Sequence, residues 1–165
     1  MRNIIIVFIL MLFAMSAHGQ SFTGTVSGAT TMYSVVNLTI TNLSGVVSFN
    51  TPDDMNNGIV VNNAATLAVK SNVSWTLSVS AQSTYFTAMT QGASTTMPAS
   101  VLGIRRNGTS TFLSMSTASQ TLKTGNRGNA ATAGNTFDID TEFDPGFNYP
   151  GGSYNIGIVY TLTQQ

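Results

Sequence analysis

Cysteine is absent from the 165-residue chain, and the single histidine, His18, lies near the N-terminus. Without these side chains, residues 19–165 can form neither a Ser-His-Asp nor a Cys-His catalytic group. They also lack redox thiols and the imidazole and thiolate ligands that bind zinc and copper in proteins. The chemistry open to this part of the chain is therefore limited to carboxylates, hydroxyls and a few basic groups.

Charge is also scarce, since Lys and Arg total 6, Asp and Glu total 6, and charged residues make up 7% of the chain. A nucleic-acid-binding surface needs clustered basic residues, so we expect no nucleic-acid partner. Apolar residues make up 42% of the chain, which is enough to build a core and argues against disorder. The composition therefore predicts a globular protein whose surface is mostly neutral and polar.

The first 19 residues have the features of a secretory signal peptide. Arg2 supplies a positive charge, residues 4–14 form an unbroken apolar stretch, and Ala17 and Gly19 are the small residues expected at a cleavage site. The apolar stretch is too short to span a bilayer comfortably, and no second one follows. We expect a secreted protein, extracellular or at the cell surface via the periplasm, with no transmembrane segment after signal cleavage.

The remaining residues, 20–165, suit one domain with an N-terminal arm. Residues 20–31 contain only two large apolar side chains, Phe22 and Val26, and are predicted to be an arm outside the core. From residue 32 onward, period-two alternation predicts strands at 32–40, 46–49, 73–80 and 154–163. Turn signals separate them, as at 51–54 and 56–58. We predict that residues 32–165 form an all-β domain, an immunoglobulin-like antiparallel β-sandwich of roughly seven to nine strands.

Some local features have a structural interpretation. Trp75 alternates with polar residues and shares a face with Leu77, so we expect it in the core. Residues 83–100 fit either a short helix or a long connection, and residues 125–134 are predicted to be an exposed loop. Arg105 and Arg106 come just before an Asn-Gly turn and are interpreted as a solvent-exposed loop tip.

Four of the six acidic residues alternate with mostly apolar residues in one short segment, 137–144. In a strand, Asp138, Asp140, Glu142 and Asp144 would share one face, about 7 Å apart, so that adjacent pairs could bind calcium. The alternative is a solvated or edge-strand face that discourages unwanted pairing. Paired carboxylates can also hydrolyse glycosides, but no second acidic cluster converges on this strand. We therefore expect no enzymatic activity, and no cofactor other than calcium.

The strand edges are a candidate functional surface, because a sequence with so little charge has few residues with which to protect them. An extended segment of one copy could then add to a sheet of another. The alternative is that the terminal strand pairs within its own sheet, and both hold if the arm is the donated segment. The residues that we assign to a strand-exchange interface are Phe22, Val26, Tyr154, Ile156, Ile158 and Tyr160.

The C-terminal segment Tyr149-Pro150-Gly151-Gly152-Ser153-Tyr154, followed by the alternating residues 156–163, resembles the last strand of bacterial fimbrial and pilin-like subunits. This resemblance covers mainly the final third of the chain. It implies a structural or adhesive surface subunit, with itself or other surface subunits as partners and a periplasmic chaperone in assembly. The chain lacks the disulfide near the first strand that many fimbrial subunits have.

Residues 75–79, Trp-Thr-Leu-Ser-Val, are similar to the Trp-x-Leu motif of secreted, cell-wall-associated β domains. Those domains usually carry a second such motif near the C-terminus, which this chain lacks. Two functions follow as expectations from the sequence. The first is an exported structural or adhesive surface subunit that assembles by β-strand addition, and the alternative is a secreted carbohydrate- or calcium-binding β-sandwich module.

Overall fold

The computed structural model describes residues 29–41 and 45–165. The chain divides into two units, residues 1–32 and residues 33–165, and every element below belongs to the second unit. The described residues are mostly β, with 46% of them in strands and 7% in helices, and the sheets are antiparallel. This confirms the predicted all-β class, whereas the immunoglobulin-like arrangement stays a prediction. No helix in the described ranges is long and apolar enough to cross a membrane.

Five strands form the larger sheet, and we number all strands by their place in the chain. They are β1 (Val36–Thr41), β2 (Ile59–Ser71), β5 (Leu102–Arg106), β6 (Leu113–Ser114) and β8 (Thr136–Phe143). Their order across the sheet is β1-β2-β8-β5-β6.

Three strands form the smaller sheet, namely β3 (Trp75–Ala81), β7 (Gln120–Gly125) and β10 (Ile158–Gln164). They follow the order β10-β3-β7, so β3 is the central strand. Two short strands, β4 (Thr87–Ala88) and β9 (Tyr154–Asn155), pair separately from both sheets. The described part of this unit also contains two helical elements, the α-helix α1 (Pro52–Asn57) and a 3₁₀ turn (Ala99–Val101).

Both sheets contribute side chains to one hydrophobic core. On β3 the alternation is strict, because Trp75, Leu77 and Val79 are fully buried while the Thr and Ser residues between them are partly exposed. The predicted burial of Trp75 is confirmed, and its indole N–H donates to the carbonyl of Asn126 at 3.0 Å. The larger sheet adds Leu67, Val69, Leu102, Ile104 and Ile139.

The first turn predicted after residue 50 is a short helix instead. The Thr51 hydroxyl accepts a hydrogen bond from the Asp54 amide at 3.2 Å, and the Asp54 carboxylate accepts from the Thr51 amide at 2.8 Å. This reciprocal capping box provides acceptors for two backbone amides that a helix start leaves unpaired. The ring of Pro52 also fixes its φ near the value that the first helical turn requires. The purely turn-like interpretation of these residues was wrong, since local capping extends the turn into six helical residues.

Other predicted boundaries also differ from the structure. Residues 46–49 are not a strand, and residues 83–100 are a connection that contains β4 and the start of the 3₁₀ turn. The described ranges contain ten strands rather than seven to nine, and three of the ten are two residues long. The longest strand, β2, was missed because its apolar alternation is interrupted at residues 62–64, where its register against β8 shifts.

Candidate functional site

Two long strands, β1 and β10, form edges on the same side of the core. β1 ends the larger sheet, β10 ends the smaller one, and the two strands contact each other. Among the residues that the structure describes, no strand pairs with the outer side of either. Neither strand contains a charged residue or proline, and neither shows a register shift against its neighbour. We call β1 and β10 the plain edges.

The hydrogen bonds of β10 fix which of its backbone groups face outward. The backbone N–H of Gln82 donates to the Gly157 carbonyl at 2.8 Å. Along an antiparallel ladder, hydrogen-bonded pairs alternate with pairs that are not hydrogen-bonded to each other. The N–H and C=O groups that point away from β3 therefore belong to alternate residues, Ile158, Tyr160 and Leu162. Among the residues that the structure describes, no other strand forms hydrogen bonds with these groups.

The same reasoning applies to β1. The backbone N–H of Asn72 donates to the Val35 carbonyl at 3.2 Å, so Val35 and Asn72 form a hydrogen-bonded pair. Further hydrogen-bonded pairs of the β1–β2 ladder follow at every second residue. The N–H and C=O groups of Val36, Leu38 and Ile40 therefore point away from β2. Each plain edge thus offers three residues whose backbone could pair with an added strand.

At the opposite ends of these two sheets, β6 and β7 are modified in ways that discourage pairing. β6 is only two residues long, and the register of β7 shifts against β3 between Leu77 and Ser78. Beside this bulge, the Lys123 ammonium lies 4.4 Å from the centre of the Phe137 ring, which packs against the core. Short strands, bulges and inward-pointing charges are known protections of sheet edges. The protein therefore protects one side of the core and leaves the other plain.

The C-terminal residues assigned to strand exchange contact the chain's own core. The side chains of Tyr154, Ile156, Ile158 and Tyr160 pack against it, and β10 pairs with β3 along its whole length. Burial raises the pKa of Tyr160 to about 12, in keeping with a packed phenol. Of the two alternatives for the terminal strand, pairing within its own sheet is therefore the one observed. The other two assigned residues, Phe22 and Val26, lie outside the described residues, and the exchange itself stays a prediction.

The acidic segment forms β8 and has the face that alternation predicts. Ile139 lies in the core and Phe137 and Phe143 pack against it, so Asp138, Asp140 and Glu142 share the opposite face. Asp144 follows the end of the strand. Asp140 nevertheless is only 1% exposed, because neighbouring segments cover it.

The Asp140 carboxylate accepts three hydrogen bonds, each of 3.0 Å. One oxygen accepts from the side-chain Nδ2 of Asn107 and from the backbone N–H of Asn63. The other oxygen accepts from Nε of Arg105. Asn63 lies in the irregular part of β2 with φ of +54°, which turns its amide toward the carboxylate. The Arg105 guanidinium stacks on the Phe112 ring, 4.2 Å from its centre. We call Asp140, Arg105, Asn107 and Asn63 the Asp140 cluster.

The Asp140 cluster corrects the interpretation of Arg105 and Arg106 as a loop tip. Both residues belong to β5, and Arg105 is held beside a buried carboxylate, so the loop begins only after them. Sequence spacing could not reveal this, because Asp140 lies 35 residues from Arg105 and 77 from Asn63. The one available signal was an arginine on the strand before a turn, which is equally typical of a solvated end.

The predicted calcium ligands are not gathered around a common point. Asp140 is occupied by its own cluster, and Asp138 accepts a hydrogen bond from the Thr66 hydroxyl at 2.6 Å. Within residues 29–41 and 45–165, no three His, Cys, Asp or Glu side chains lie close enough together to hold a metal ion. Calcium binding by Asp138, Asp140, Glu142 and Asp144 stays a prediction that this arrangement does not favour.

The Asp140 cluster predicts a loss of stability in acid. Burial disfavours the charged carboxylate, but the hydrogen bonds from Asn107 and Asn63 and the Arg105 guanidinium together outweigh it, so the pKa of Asp140 lies below its usual value. A lowered folded-state pKa contributes stability that is complete above the unfolded-state value, about 3.9 for Asp. We therefore expect the free energy of unfolding to fall as the pH drops below about 4.

Urea unfolding at neutral pH and at about pH 3 measures this loss. Asp54 has a lowered pKa for a different reason, its hydrogen bonds from the Asn50 and Thr51 amides, so it contributes in the same direction. The comparison that isolates Asp140 is therefore between the unaltered protein and Asp140→Asn, whose stability should fall less in acid. Equal losses in the two proteins would contradict the assignment.

No protein-family model matches this chain, and a search of curated proteins finds no match for it.

Proposed function

We propose that this protein is an exported structural or adhesive surface subunit, an immunoglobulin-like β-sandwich that assembles with its own copies by β-strand addition. The observation that carries the proposal is the difference between the two sides of the core. β6 and β7 have a short strand, a bulge and an inward lysine, whereas β1 and β10 have none of these. Edges left plain on one side only are suited to receive another strand.

The donated segment in this proposal is the arm, residues 20–31, of a neighbouring copy. Its two large apolar residues, Phe22 and Val26, are four positions apart and would share one face of an extended strand. Backbone pairing with β1 or β10 would supply affinity, and these two side chains would select the register. The arm follows the signal-like residues 1–19, so export would deliver it with the domain it precedes.

Deleting the arm is expected to abolish assembly. We would compare the chain from Gln20 to Gln165 with a chain that starts at Met32, using size-exclusion chromatography with light scattering and negative-stain microscopy. The longer form should give a ladder of oligomers or filaments, and the shorter form should be a monomer, because only the longer form carries a strand to donate. Monomers from both proteins, or equal oligomers from both, would contradict the proposal.

A pair of proline substitutions tests the edges directly. Ile40→Pro and Leu162→Pro each remove an N–H that points outward, so the ladders within each sheet keep their hydrogen bonds. The matched control is Ile40→Ala with Leu162→Ala, which removes similar side-chain volume and keeps both N–H groups. We expect the proline pair to be folded and monomeric and the alanine pair to assemble. Assembly of both to the same extent would show that these edges are not used.

A further inference from the structure

An open groove of about 250 Å³ lies between β5 of the larger sheet and β7 of the smaller sheet. We call it the β5–β7 groove. It lies toward the edges of the two sheets that are opposite to β1 and β10, so it is separate from the surface to which assembly is assigned. Leu113 and Leu122 contribute apolar surface to its lining. Its remaining lining is polar or positively charged.

The positive charge of this sparsely charged protein is concentrated here. From residue 20 onward the chain has five Lys and Arg residues, and Arg105, Arg106 and Lys123 line the groove. No Asp or Glu does. Arg105 is paired with Asp140, which is the one ion pair among residues 29–41 and 45–165. Arg106 and Lys123 therefore leave two positive charges without a carboxylate partner in that part of the chain.

These two cations are close enough to influence each other. Partial burial, and secondarily the positive charge of Arg106, lower the pKa of Lys123. A cleft lined by one sign of charge and partly by apolar walls concentrates its field on a ligand of the opposite sign. An anionic group between the two side chains would relieve this repulsion.

The groove lining also contains threonine residues. Four threonines, Thr109, Thr111, Thr121 and Thr124, line the same groove. The Thr109 hydroxyl donates to the Arg106 carbonyl at 2.7 Å, whereas the other three hydroxyls form no hydrogen bond with any described residue. A free hydroxyl can both donate and accept, which suits the hydroxyls of a sugar. The groove is also below the usual 300–1,000 Å³ of a pocket for a drug-sized ligand, so it fits one sugar unit or one anionic group.

From this arrangement we propose that the β5–β7 groove binds an anionic group carried on a glycan, such as a sulfated or carboxylated sugar. Arg106 and Lys123 would contact the anion through charge-assisted hydrogen bonds, and the threonine hydroxyls would contact the sugar. This site does not depend on assembly by strand addition, because a monomer contains all of it.

Calorimetry with a short dextran sulfate tests the site, on protein produced from the complete sequence. We expect saturable binding that weakens from 50 to 200 mM salt, and no heat from neutral dextran of the same length. Arg106→Gln with Lys123→Gln should weaken binding at least about tenfold. Lys123→Arg, which keeps the charge, should retain it.

The matched control is Lys70→Gln with Arg127→Gln, which removes the same charge from exposed residues outside the groove. A loss as large in this control as in the groove variant would show that binding depends only on net charge and would overturn the proposal, as would absence of binding by the unaltered protein. Sodium sulfate as competitor separates two sources of the anion. Displacement supports recognition of the free anion itself, and no displacement supports recognition of the anion only on its glycan.

Discussion

Replacing Asp140 with alanine is expected to lower the free energy of unfolding by about 3–5 kcal/mol. The carboxylate is 1% exposed and accepts hydrogen bonds from Arg105, Asn107 and Asn63. Its removal leaves a guanidinium that is 22% exposed without its partner and two further donors without an acceptor. Deleting one partner of a buried pair lowers stability by more than the intact pair contributes. The reason is that the remaining partner stays buried without its hydrogen bond.

Asp138→Ala is the matched control, since Asp138 lies two residues away on the same face of β8. Its carboxylate has one hydrogen bond from a side chain, donated by Thr66 at 2.6 Å, so we expect a loss of only about 1 kcal/mol. Urea denaturation of both variants at pH 7 gives the comparison. Equal losses of stability in the two variants would show that the Asp140 cluster contributes no more than the single hydrogen bond of Asp138.

Gly125→Ala is expected to destabilise the protein by about 3 kcal/mol, at the upper end of the usual cost of overpacking. Gly125 pairs with Trp75 across β7 and β3, and a Cβ at this position would meet Cζ2, Cε2 and Cη2 of the Trp75 ring at 2.9 Å or less. The ring is fully buried and its N–H is bonded to Asn126, so it has little freedom to move away. The absence of a side chain at residue 125 is therefore a condition for this core.

Two comparisons make the Gly125 result specific. Gly151→Ala adds the same methyl group where no atom lies within 4 Å, so its effect should be within about 0.5 kcal/mol of zero. Trp75→Leu removes the ring that causes the clash, so adding Gly125→Ala to it should cost much less than in the unaltered protein. Thermal or urea unfolding of the four proteins provides the cycle. Additive losses would show that the two residues do not interact.

The sequence predicts those parts of the structure that depend on local alternation. β3 is an example, since Trp75 and Leu77 alternate with polar residues over its whole length and are buried as expected. The single acidic face of β8 follows from the same period of two. Each of these predictions uses only the neighbours of a residue along one strand.

The features that carry the proposals depend on contacts between distant segments, and the sequence does not predict them. Asp140 looks like a solvated residue until Asn63, 77 residues away, and Arg105 are placed over it. The position of Lys123 beside Phe137 depends on the bulge of β7, which the residues of this strand alone do not predict. Which edges are plain depends on strand order, because alternation identifies strands but not their neighbours.

The irregular segment at residues 62–64 also determines how β2 aligns with β8. Because side chains alternate with a period of two, β2 could slide by two residues and still present its apolar side chains to the core. That shift would carry the Asn63 amide about 7 Å along the strand, away from the buried carboxylate that accepts its hydrogen bond. The hydrogen bond from Asn63 therefore stabilises the observed alignment of β2 with β8. It disfavours a pairing shifted by two residues, which would bury the same apolar side chains.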